Sequence, residues 1–270
     1  MTTIKSVCVL VMIGAVVLSA AGQTDRLVSR MRSGDFVSRV AAGAEFARAV
    51  DGDARILNAE GAQEAVAALL EDADAELYRL FEERVNHEKQ YGEGFAENHS
   101  VVLGVALRFL DAVTSPPDSR LLAAMVSSIY NPDSAFAQKL AHLGAPVLDL
   151  ALVLRTSART EPQRWNAYGL LGFTLKEDTA GTLKSRLSPA NRQSAIRALV
   201  SGLQESSRAC VLEAVRALER AEPTEALGPL RELERRLQAA SPPPSREADR
   251  FVGNEIRRVI IALEAKSARR

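Results

Sequence analysis

Residues 213–237, EAVRALERAEPTEALGPLRELERRL, hold two amphipathic runs on either side of one short break at Glu222-Pro223-Thr224. Apolar residues recur three and four apart on both sides, the spacing of a helix with one buried face. Proline and the polar residues around it end the first run and open the second. The stretch is therefore a pair of helices. Whether such pairs close into a bundle or stack side by side decides the fold.

The rest of the second half favours stacking. Pro146, Pro189 and Pro229 each stand at the head of an apolar helical run, 43 and 40 residues apart. Leu171, Leu218 and Leu263 close the partner runs WNAYGLL, LEAVRAL and VIIAL, 47 and 45 residues apart. Two markers with one period point to a unit of about 40–47 residues built from two helices. Such a pair cannot bury both apolar faces alone, and the next pair covers what is left. Ala167, Ala214 and Ala217 are small enough to let neighbouring helices approach closely. Ser188 before Pro189 suits an N-cap followed by a first-turn proline. The SPPPS of 241–245 reads as a stiff joint before a last helix over 246–266.

Residues 213–230 resemble the HEAT-like repeats common in bacterial proteins. Ala217-Leu218, the turn at Pro223-Thr224-Glu225, then Ala226-Leu227 and Leu230 match the pattern of that family. QRWNAYGLLG (163–172) is similar to the same helix, with Arg164 at the family's arginine and Ala167 at its small residue; in the next unit Val211 stands where that arginine would be. The resemblance spans about residues 133–266. It implies an all-α, right-handed α-α superhelix of the HEAT or armadillo kind over 131–270, following an irregular helical region over 23–130. It is nearly silent on activity, because function belongs to sites and not to folds.

Composition agrees with a helical chain. Of 270 residues, 47% are apolar and only 5% aromatic, and Ala, Leu, Arg and Glu dominate. Formal charge is zero. With no surplus of cations to neutralise phosphates, nucleic acid is not an expected partner. Arg26, Arg30 and Arg32 form a local basic group that reads as a solvated arm.

Residues 1–22 read as a signal peptide. Lys5 precedes an apolar run over Val7 to Leu18, and SAAGQ supplies small residues for cleavage after Ala21 or Gly22. The run is short of the roughly 20 residues that a membrane span needs. An exported, periplasmic or secreted protein is expected, with membrane contact only if this segment is retained. Its removal leaves Cys210 as the one cysteine, which reads as a small buried hydrophobe.

Few residues suggest chemistry. His87 and His99 lie in HEKQYGEGFAENH, whose YGEGFAENH (91–99) reads as a glycine-marked helix break, and Glu83 shares a helical face with His87; an envelope metalloprotein or hydrolase using the His87/His99 region is the alternative reading. DGDARILNAE (51–60) echoes a calcium loop but lacks its first carboxylate and its turn glycine, so a polar interhelical loop is expected. No phosphate loop, nucleophile elbow or C-x-x-C motif is present. No cofactor is expected. Arg155, Arg159, Arg164, Trp165 and Tyr168 cluster in sequence and are the candidate binding face for a protein partner. The sequence therefore reads as a non-catalytic binding protein.

Overall fold

The computed structural model of the chain describes residues 22–87, 93–112, 117–129, 134–239 and 247–269. Every regular element among them is helical. The segment read as a signal peptide and the SPPPS joint lie outside the described residues, save Gly22. The chain divides into two compact units, one ending at Ser128 and one beginning at Ile129.

The first unit holds α1 (22–32), α2 (Phe36–Gly52), α3 (Ala62–His87), α4 (Glu93–Ala112) and α5 (Ser119–Ser127), with a 3-10 turn at Ala54–Asn58. Asp35 and Asp118 accept hydrogen bonds from Ser38 N and Leu121 N, capping α2 and α5. Each such cap stabilises its helix by about 1 kcal/mol. α2 packs on α4, and α3 on α4 and α5. The Phe46 and Phe109 rings stack at 6.3 Å between centroids, and Met31, Leu69 and Leu70 of the same unit are fully buried.

One expectation is corrected here. Two helices, α3 and α4, flank residues 88–92, which lie outside the described residues, but the second begins earlier than expected, at Glu93, so Gly94 through His99 are helical. A glycine inside a helix costs only about 1 kcal/mol, and the stripe Val102, Val105, Ala106 and Phe109 is fully buried. Burial of that stripe outweighs the penalty.

The second unit holds α6 (Ala135–Ala141), α7 (Ala145–Ser157), α8 (Glu161–Ala180), α9 (Pro189–Gly202), α10 (Arg208–Ala221), α11 (Leu227–Ala239) and α12 (Glu247–Ser267), with a 3-10 turn at Thr224–Ala226. Pro146, Pro189 and Pro229 all fall in the first turns of α7, α9 and α11. Leu171, Leu218 and Leu263 fall in α8, α10 and α12 and are buried. The Ser188 hydroxyl accepts from Asn191 N as its position suggests. Thr160 and Ser207 cap α8 and α10 in the same way.

Packing follows the alternation. α8 packs on α7 and most extensively on α10; α10 packs on α9 and α12; α7 packs on α9. α11 lies against α12. Residues 213–237 thus join two helices that bury their faces chiefly on other partners, and do not form a self-contained hairpin. α8 differs from a half-exposed repeat helix: every residue from Asn166 to Leu175 is buried. Thr174 Oγ1 donates to Leu170 O at 2.8 Å and the Asn166 amide N–H donates to Ile129 O, while Asn166 Oδ1 is buried with no partner among the described residues. Among the described residues no single helix is long and apolar enough to cross a membrane. The bent pair α6 and α7 reaches that composition only together, across a 116° bend.

Candidate functional site

Three of the five candidate residues, Arg155, Arg164 and Tyr168, come together beside the first turns of α8. Tyr168 lies one turn beyond Arg164 and is fully buried. Its hydroxyl donates to Glu205 Oε1 at 2.8 Å, and Arg164 faces Glu205 Oε2 at 3.7 Å. Burial, then the Glu205 carboxylate, push the Tyr168 phenol far above its ordinary value. Arg155, at the end of α7, donates to Ser201 Oγ at 2.7 Å and neighbours the phenol. Trp165 is half-buried. Arg155 Nε and Trp165 Nε1 are buried donors with no acceptor among the described residues. Arg159 stands apart, exposed, with its backbone N–H donating to Gln163 Oε1 at 2.9 Å.

Tyr168 is thereby removed from the expected binding face. It is a core residue whose polar tip anchors the α9–α10 turn. Gly202 lies so close that a Cβ there would sit 2.7 Å from the Tyr168 ring. Glu205 is the residue that sequence reasoning missed. It lies 37 positions from Tyr168 in a turn, and no local spacing marks it. With both its oxygens engaged, Glu205 ties the first turns of α8 to the α9–α10 turn.

Ser201 also borders a groove between α9 and α11 of about 370 Å³. Ile196, Val200 and Pro229 give it an apolar lining, with Gln204 and Arg197 on the α9 side and Glu225 on the other. Among the described residues Arg197 donates to the Ser194 hydroxyl, at 3.3 Å. Among the described residues Glu225 has no hydrogen bond or ion pair. It is the one carboxylate so placed among the described side chains of this unit. By contrast Glu161, Glu177, Asp178, Glu205, Glu213, Glu219, Glu222, Glu232, Glu234, Glu255, Glu264 and Asp149 are all engaged.

The other candidates are occupied. Asp51 is bound through both oxygens by Arg108, at 2.8 and 2.6 Å, and this pairing lowers its carboxyl below the usual range. Asp53 caps the 3-10 turn and binds Arg55. His99 is buried and bonds the Ser128 backbone; burial lowers its pKa. The side chains of Glu83 and His87 lie outside the described residues. Among the described residues, no group of three or more His, Cys, Asp or Glu side chains is placed to hold a metal ion. Arg30 and Arg32 pair with Glu45 and Glu64, so the basic arm is charge-matched at two of its three arginines. Cys210 is fully buried, and burial raises its thiol to about 11.

Compared with known proteins, the sequence matches no family model and no curated protein.

Proposed function

We propose that the chain is an exported, non-catalytic scaffold that binds another protein through a face shared by several helical pairs. In this reading the second unit is a short right-handed α-α superhelix of the HEAT or armadillo kind, with α7–α8, α9–α10 and α11–α12 as its pairs. The observation that carries it is the alternation of two helix series. The proline-led helices alternate with the leucine-bearing ones, and each leucine-bearing helix packs on the next of its series, α8 on α10 and α10 on α12. Propagation by nearest-neighbour contacts is the physics of stacked arrays. A specific interface buries about 800 Å² on each partner, more than one interhelical groove offers, so several pairs must contribute.

Crosslinking in the native envelope followed by affinity capture of the chain tests the reading. One reproducible protein partner supports it; none under several conditions counts against it. N-terminal sequencing of the mature protein separates export from anchoring: a start near Gln23 supports a cleaved leader, and a retained Met1 supports a membrane-anchored assembly factor.

A further inference from the structure

We propose that the chain associates with a second copy of itself through unlike units, the first unit of one copy meeting the second unit of the other, with opposite charge as the attraction. The association needs no other protein and does not depend on the scaffold reading.

The formal charge of zero hides a division. Up to Ser128 the sequence holds 12 Lys and Arg against 18 Asp and Glu, and from Ile129 onward it holds 22 against 16. The two compact units therefore carry formal charges of −6 and +6. Pairing inside each unit leaves its surplus at the surface. In the first unit Arg30, Arg32, Arg39, Arg55, Arg108 and Arg120 each hold a carboxylate of their own unit. Asp25 and Glu60 remain exposed, with no cationic partner among the described residues. The second unit is the mirror case. Its described carboxylates, Glu225 apart, are engaged within the unit. Lys176, Arg186, Arg197, Arg236 and Arg250 remain exposed, with no acidic partner among the described residues. Contact between two first units or between two second units sets like charge on like charge and is repelled. Only the crossed contact is attractive, and complementary charge of this kind sets register and speeds encounter.

Sedimentation velocity of the natively processed chain near neutral pH tests this. The average mass is expected to rise with protein concentration at about 0.01 M salt, where charges are felt over about 30 Å. The dissociation constant is expected to increase at least about tenfold by about 0.15 M salt, where that range falls to about 8 Å. Two double variants locate the contact. Arg186→Glu with Arg236→Glu takes the second unit from +6 to +2, and Asp25→Lys with Glu60→Lys takes the first from −6 to −2. All four residues are exposed, and unchanged circular dichroism shows that the fold survives. Each double variant alone is expected to associate at least about tenfold more weakly than wild type at low salt. Mixed together they restore one contact between −6 and +6, so a mixed dimer tighter than either variant's own is expected. A monomer at every concentration in low salt overturns the proposal. So does association that salt leaves unchanged, a double variant that associates as tightly as wild type, or a mixture no tighter than its components.

Discussion

Gly172 of α8 lies directly against the backbone of Ala217 of α10: a Cβ built on the glycine would sit 2.6 Å from the Ala217 Cα and 2.7 Å from its Cβ. No side-chain rotation relieves such an approach, because backbone is what stands in the way. The largest helix contact of the second unit is therefore set by the absence of one methyl group.

Gly172→Ala is expected to destabilise the protein. Alanine is the better helix former by about 1 kcal/mol, but forcing α8 and α10 apart costs about 1–3 kcal/mol in a well-packed core, and the second effect wins. Gly253→Ala in α12 is the control, since nothing lies within 4 Å of its added Cβ and only the propensity gain remains. Urea unfolding of the two variants should move the midpoint in opposite directions. A Gly172→Ala protein as stable as wild type would contradict the contact.

How much of this was legible beforehand differs from residue to residue. The proline and leucine series was readable because N-caps, first-turn prolines and helical periodicity act within a few residues. Ala217 is legible as a close-approach residue, but Gly172 opposite it is not, since the choice of facing helix is tertiary. Trp165 and Tyr168 have the same amphipathic character three positions apart. Only the arrival of the α9–α10 turn, with Glu205, makes Tyr168 core and leaves Trp165 half-exposed. α8 hid its full burial behind Gln163, Asn166 and Thr174, polar residues whose bonds are made inside the fold.

Arg220 does two jobs on α10. It donates to Glu213 Oε1 at 2.6 Å, with both side chains mostly buried, and its guanidinium sits 4.4 Å from the Phe173 ring of α8. Removing the cation leaves a carboxylate in a poorly solvated place. Arg220→Ala is expected to cost about 3 kcal/mol, as breaking one side of a buried pair does. Arg220→Ala combined with Glu213→Gln should cost less than Arg220→Ala alone, because the stranded charge is gone. A double variant less stable than the single one by chemical denaturation would refute the burial argument.

Calcium is expected to leave the 51–60 loop unmoved. Asp51 is held by Arg108 and Asp53 by Arg55 and the Arg55 N–H, so a cation would have to displace two guanidinium groups. Thermal unfolding with and without millimolar calcium checks this. A rise in midpoint that Asp51→Asn abolishes would show a site after all.

Cys210 links stability to alkaline pH. Its thiol is raised by burial to about 11, above the range of an unfolded cysteine. A folded-state value above the unfolded one means that the native protein keeps the proton longer. The stabilisation is therefore complete below about pH 8.5, the unfolded thiol value, and is lost as pH climbs toward the folded value. The stability difference between wild type and Cys210→Ala should thus narrow as pH rises from about 8 to about 10.5. The native thiol should also resist alkylation until the protein unfolds, since the thiolate is the reactive form. Rapid modification of the folded protein at neutral pH, or a difference constant across that range, would place Cys210 at the surface and not among the packed residues of α10.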